Sequence, residues 1–384
     1  MTRQHPAATA VRRGWLAALV VAVLGCGASA VPRPPGPVAG VPAARLARLN
    51  RGVNVTRWFR EWGRKPPFAD SLSDADLATI RALGFRVLRL GVDPQYLQRA
   101  GEPGLLDSVA LADLDSAIDR LLARDLAVIV TPFPHDRFLL QDSARAAGFV
   151  RFWEALAANL GTRDPERVFL EVVNEPVFYH RSEAWGETQR LLLAAMRSGA
   201  PRHTLIATGP DWSTVDGLLR VSPVQDANIV YTFHFYEPHE FSHQGLSWAG
   251  TAMLRKLPYP ADSSRCAAAL GRLTDSSAVA EATRYCAGRW DRAALAAVLD
   301  RADRWRQIHR VPVFAGEFGA TCTAPEQDRL AWIRDVRVEL ERRGIGWALW
   351  GWDDCFGLNA HRAADGRLVL DADVLAALGL DRGR

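Results

Sequence analysis

"LEVVNEP", residues 170–176, is an apolar run that stops in an amide, a carboxylate and a proline. Its length and branched residues read as a buried strand. A carboxylate closing such a strand is costly unless it is paired or put to use, so the run points to a strand ending in a functional site. Seven further runs share this form: "RGVNVTRWF" (51–59), "FRVLRLGV" (85–92), "LAVIVTPF" (126–133), "TLIATGP" (204–210), "IVYTFHFYE" (229–237), "VPVFAGEFG" (311–319) and "IGWALWGW" (345–352). With "RVFLEVVNEP" (167–176) they make eight.

Helical patterns lie between them. "SDADLATIRAL" opens at Ser73 and is followed by Gly84; "PEQDRLAWIRDVRVELERRG" closes at Gly344; "DADVLAALGL" reads as the eighth helix. Eight strand–helix alternations without a glycine-rich phosphate turn predict a closed (β/α)8 TIM barrel over residues 46–384, not an open doubly wound sheet. The connection from Pro238 to Trp290 far exceeds its peers, which marks a functional loop insertion after the sixth strand.

The chain has 384 residues, 48% hydrophobic and 23% charged, an ordinary globular balance. Arg12 and Arg13, the apolar "GWLAALVVAVLG" (14–25) and the small residues after it read as an export signal over residues 1–26. "VLGC" (23–26) resembles a lipobox, which would make Cys26 a lipidated first residue anchored to a membrane; ordinary cleavage near Ala30 is the alternative. Losing Arg3, Arg12 and Arg13 takes the formal charge from +4 to +1, which argues against a nucleic-acid partner. Residues 27–45, rich in Pro, Ala and Gly, read as a spacer. Cys266, Cys286, Cys322 and Cys355 remain, an even number in an exported chain. Of three pairings we favour Cys266–Cys286, bracing the long loop over the barrel mouth. Cys322–Cys355 is favoured because each follows the end of a neighbouring strand.

Chemistry in such a barrel sits at the C-terminal strand ends. Arg89, His135, Asn174, Glu175, His234, Tyr236, Glu317 and Trp350 all fall there. Strand parity puts His234 with Tyr236, Glu317 with Val313 and Ala315, and Glu171 as a buried support on the face of Glu175. Two carboxylates facing each other suit glycosidic bond cleavage, which needs neither metal nor cofactor. "HEFSH" (239–243) matches a zinc-protease pattern, but it follows Pro238 directly after a strand and lacks the helix that motif needs. Trp153, Trp305 and Trp332 lie in helical segments and read as packing. Trp58, Trp62, Trp212 and Trp248 follow strand ends or sit in the long loop, where they could stack on sugar rings.

"VVNEP", "FHFYE", "AGEFG" and "WALWGW", in this order and each at a strand end, resemble glycoside hydrolase family 5, of the retaining (β/α)8 clan; "RGVN" and "RLGV" are similar to its first two strands. The resemblance implies Glu175 as acid/base, Glu317 as nucleophile, Asn174 as donor to the sugar 2-hydroxyl, Arg89 and Tyr236 as supports of the nucleophile, His135 and His234 as site histidines, and Trp350 as the sugar platform. It implies a β-linked polysaccharide or oligosaccharide as partner, with β-1,4-glucan leading. Mannan, β-1,3-glucan, xyloglucan or an exopolysaccharide, or sugar binding without catalysis, are the alternatives. Phe235 stands where many members have Tyr, and the long sixth loop is not general to the family.

Overall fold

A computed structural model describes residues 40–60 and 72–380. Eight parallel strands close on themselves in chain order: β1 (Gly52–Phe59), β2 (Val87–Val92), β3 (Ala127–Pro132), β4 (Val168–Glu171), β5 (Leu205–Thr208), β6 (Ile229–Phe235), β7 (Val313–Phe318) and β8 (Gly346–Leu349). The connecting helices include Asp74–Ala82, Ser108–Leu122, Ser143–Leu160, Ser182–Gly199, Arg292–His309 and Glu326–Arg342. The expected eighth helix is Ala372–Ala377. Start signals act as read: Ser73 and Asp76 close a reciprocal capping box, and Gly84 follows at φ +97°.

Side chains alternate across each strand. One set, including Leu88, Val130, Leu170, Phe233 and Ala315, packs outward under the helices. The other fills the barrel in two layers. At the N-terminal end Val87, Ile129, Phe169, Ile206, Val230 and Phe314 make an apolar plug. One pleat further along, Arg89, Thr131, Glu171, Thr208 and Thr232 are equally buried and polar.

Simple parity fails in β7. Val313 and Ala315 pack in the outer core, yet Glu317 turns into the barrel. Phe233 pairs with Ala315 and His234 with Glu317, so Gly316 is an extra, bulged residue that flips the strand's remaining side chains. Its glycine is required: a Cβ there would lie 2.6 Å from Thr232 Oγ1.

Both expected disulfides form, Cys266–Cys286 and Cys322–Cys355. The first joins helices Ser263–Leu270 and Ser276–Ala287 within the insertion. These helices do not roof the mouth themselves. Arg265 clamps Asp328 on the Glu326–Arg342 helix at 2.7 and 2.5 Å, and Tyr285 stacks behind Phe241. Only the insertion's first stretch, with His239, His243, Trp248 and Ala249, reaches the mouth. Among the described residues no helix is long and apolar enough to cross a membrane. The export signal, Cys26, Trp62 and most of the spacer lie outside the described residues.

Candidate active site

The C-terminal mouth holds a cavity of about 680 Å³ lined by Asn174, Glu175, His234, Tyr236, Glu317 and Trp350, among others. Its base is built around Arg89, which is fully buried. Nε and Nη2 donate to the two Glu171 oxygens at 2.7 Å each, and Nη1 donates to Glu317 Oε1 at 2.6 Å and Asn54 Oδ1 at 3.0 Å. Nη2 also donates to Asn174 Oδ1 at 2.9 Å. All five guanidinium N–H groups are thereby used. Burial alone would lower Arg89; Glu171 and Glu317 instead hold it above its ordinary value. Glu171 accepts a further bond from Thr131 at 2.9 Å, so it is a support and not a free acid.

This net orients the reacting groups. Because Arg89 can only donate, Asn174 must offer it the carbonyl oxygen, which leaves the Asn174 NH2 toward Glu175 and the cavity. Glu317 accepts from Arg89 and, at 2.8 Å, from Tyr236. Burial and the adjacent Glu317 and Glu175 charges push the Tyr236 phenol well above its usual range, so it stays a donor. His234 Nδ1 lies 2.9 Å from Glu175 and 3.4 Å from Glu317, and a carboxylate oxygen from each acid and a His234 nitrogen all fall within 4.8 Å. These three are the one site cluster, among the described residues, compact enough to share an ion. Arg89 on Glu317 and Arg137, 3.6 Å from Glu175, oppose a cation there.

Glu175 sits beyond the last paired residue of β4 at φ +45°, a left-handed conformation that a glutamate rarely adopts. Pro176 disfavours an ordinary helical exit from that position. Such strain costs on the order of 1–3 kcal/mol and collects at functional sites. Burial raises both acids. For Glu175 the His234 hydrogen bond, then Arg137 and Arg89, reverse this and bring it to about 2. For Glu317 burial and the Glu175 charge prevail over His234 and Arg89, and it is raised.

The aromatic residues divide. Trp350 lines the cavity and stacks on Phe133, centroids 6.0 Å apart; its peptide to Gly351 is cis. Trp248, 71% exposed, also lines the cavity, beside His243 and Phe356, while His239 stacks on His243 at 4.3 Å. Burial, then His239, lower His243 to about 3, leaving it a neutral wall residue. The HExxH stretch forms only the short turn His239–Ser242 and gathers no third ligand among the described residues. Trp58 is a correction: it is 1% exposed, absent from the cavity and packed beneath Arg120 in the outer core, because its β1 position faces the helices. Trp153, Trp305 and Trp332 are core residues. His135, expected in the site, does not line the cavity; it is held by Asp93, the residue after β2. Phe235 packs on Trp332 in the outer layer.

Reasoning from sequence missed Arg60, Phe133, Arg137, Glu237, Asp354 and Phe356, all of which line the cavity. Arg60 and Phe133 end strand runs and carried a positional signal; Arg137 follows two residues behind His135. Glu237 closes the sixth run and carried the same signal, whereas Asp354 and Phe356 lie on loops whose course no spacing announces.

A closed parallel barrel with two acids within reach of each other at its C-terminal mouth defines the glycoside hydrolase class of (β/α)8 proteins. Residues 48–355 match the model of the cellulase family, glycosyl hydrolase family 5, and the chain belongs to it. It is a glycoside hydrolase. It is 25% identical over 354 residues to endoglucanase 3 of Fibrobacter succinogenes, covering 86% of this chain but only 53% of that protein. It is 25% identical over 320 residues to endoglucanase C of Acetivibrio thermocellus, covering 80% and 92%. The fold is also that of a hyperthermophilic endo-β-1,4-glucanase solved with substrate, at TM-score 0.72, 21% identity, and 87% and 98% coverage.

Proposed function

We propose that this chain hydrolyses β-1,4-glucan by double displacement with retention at the anomeric carbon. The observation that carries the reading is the acid pair, within 4.8 Å, on a barrel mouth where one acid is held by a buried arginine and a tyrosine. Retaining glycosidases hold their carboxylates about 5 Å apart, too close for an intervening water. Glu317 attacks the anomeric carbon as the C–O bond breaks, and Glu175 gives its proton to the departing oxygen. Glu175 then takes a proton from water, whose oxygen displaces Glu317. Asn174 donates to the 2-hydroxyl, and Trp350 and Trp248 supply ring faces for sugars. The names of the endoglucanase relatives support β-1,4-glucan as the linkage.

In the unliganded site His234, Arg137 and Arg89 favour the ionised form of Glu175, whereas protonating the leaving group needs its neutral form. The reading therefore requires bound sugar to raise Glu175. As Glu317 faces the anomeric carbon its charge is used there, and Glu175, cut off from water beside an ether oxygen, gains proton affinity. The kcat/KM profile reports the free enzyme and the kcat profile the complex. The basic limb should thus lie higher in kcat than in kcat/KM. Product analysis of residues 45–384 on cellulose derivatives, mixed-linkage glucan, laminarin, mannan and xyloglucan, with NMR of the newly formed anomer, tests the whole. An α-anomer released first, or equal activity from Glu317→Ala, removes the mechanism.

We also infer export, either as a lipoprotein modified at Cys26 or by ordinary cleavage near Ala30. Arg12, Arg13, the apolar stretch behind them and the two disulfides support it. The mass of the mature N-terminus from an expressing bacterium separates a lipidated Cys26 from cleavage near Ala30.

A further inference from the structure

We propose that the cleft selects a β-glycan bearing a carboxylate, such as a uronate, on or beside the sugar at Trp350, and that Arg60 and Arg137 read that group. The inference rests on the glycanase reading above and adds the charge of the substrate to it.

Three guanidinium groups surround one ring: the Arg60, Arg89 and Arg137 carbons lie 4.5, 5.3 and 5.9 Å from the Phe133 centroid. Their commitments differ. Arg89 has spent every N–H. Arg137 donates to the Asn174 carbonyl at 3.3 Å and stands 3.6 Å from Glu175. Arg60 has no carboxylate within ion-pair distance among the described residues, and it rests on the faces of Phe133 and, at 5.7 Å, Trp350. Burial, then the repulsion of Arg137, lower Arg60 from its ordinary value despite Glu317 and Glu175. The remaining acids of the cavity do not answer it. Asp354 accepts from the Phe356 backbone, and Glu237 accepts from that of Tyr236 while burial pushes it up to about 7.

Charge balance turns this into a statement about substrate. Glu171 and Glu317 are held by Arg89, and Glu175 stands beside Arg137, so none of these three acids is paired with Arg60. The proposed reaction removes one of their charges throughout: Glu175 must carry a proton when the bond breaks, and Glu317 becomes an ester when it has broken. Either way the mouth loses a carboxylate charge while Arg60 keeps its own and positive charge grows on the sugar ring. On a neutral glucan the Arg60 charge opposes the transition state. A substrate carboxylate offsets it and fits the planar fork of Arg60, which has no ion-pair partner among the described residues and binds carboxylates in paired hydrogen bonds.

The test is calorimetric binding of cellobiouronic acid and cellobiose to the full chain, as wild type, Arg60→Gln and Arg60→Lys. We expect the acid to bind about tenfold more tightly at low salt, as charge-assisted bonds do. Arg60→Gln should reduce that lead to about twofold, Arg60→Lys should keep more of it, and about 0.5 M salt should erode it in the wild type. An acid that binds no better than cellobiose, or a lead untouched by Arg60→Gln, overturns the proposal. A parallel assay on carboxymethylcellulose and hydroxyethylcellulose keeps it apart from the reading it rests on. Cleavage of the neutral polymer with no binding lead for the acid rejects charge selection and leaves the β-1,4-glucanase; a lead with neither polymer cut retains charge selection and removes β-1,4-glucan as the substrate.

Discussion

The two layers inside the barrel are built by the same strands, one pleat apart, and solve opposite problems. The lower layer, Phe169 and Phe314 among its members, is an apolar plug whose work is burial. The upper layer buries Arg89 and Glu171, with Glu317 above them at the mouth, and each ion must be matched at close range. Between Phe169 and Glu171 lies a single outward residue, so a shift of two positions separates stability from chemistry. The lesson is that packing in the plug tolerates shape changes at a graded cost, whereas the ionic layer fails as a unit.

Substitutions in each layer would sharpen that contrast. Glu317→Gln should leave the fold intact and cut kcat by about 10⁴ or more, as loss of a covalent nucleophile does. Glu175→Gln should cost about 10²–10⁴ on glucan. That loss should shrink on an aryl glycoside whose leaving group needs no proton, with partial rescue of turnover by azide. A drop of equal size on both substrates would remove Glu175 from the acid role. Arg89→Met should destabilise by about 3–5 kcal/mol in denaturant titration, because Glu171 and Glu317 are left buried without their cation. Phe169→Ala should cost a similar 3–5 kcal/mol through its cavity, yet keep the kcat of the folded fraction. If both variants lose activity only in proportion to unfolding, the two layers are not functionally distinct.

Glu237 offers a smaller effect with a definite sign. Burial raises its carboxyl to about 7, so the folded state binds its proton more tightly than the unfolded chain does. That contribution is present below the unfolded value near 4.5 and is lost as pH rises toward 7. The melting temperature of Glu237→Gln should therefore fall less than that of the wild type between these pH values; parallel curves would place the titration elsewhere. Trp248→Ala is expected to be the mildest, raising KM by a few-fold, about 1 kcal/mol, with kcat little changed, since the ring lines the cavity but stands largely exposed.

Much of the site is legible in the sequence. Strand ends are marked by the point where a buried run turns polar, which is why Asn174, Glu175, His234, Tyr236 and Trp350 were found, and Arg89 with its buried partner Glu171. Trp58 was misplaced because a tryptophan near a strand end looks the same whether it turns to helix or cleft. The face of Glu317 was misjudged because parity assumes an unbroken pleat, and Gly316 breaks it. Arg60 and Arg137 were passed over because arginines in loops are common, and nothing local says that two of them converge on Phe133.

What the chain alone determined, then, is the alternation that closes the barrel, the favoured cysteine pairing that the structure forms, and the strand-end positions of Glu175 and Glu317. Each follows from a local rule: side-chain period, strand adjacency, and the cost of a lone carboxylate at a buried strand end. The inward turn of Glu317, the five-fold commitment of Arg89 and the uncommitted charge of Arg60 were decided only by the tertiary structure. They depend on distances between strands far apart in sequence, and Coulomb energy and hydrogen bonding are set by those distances, not by order along the chain.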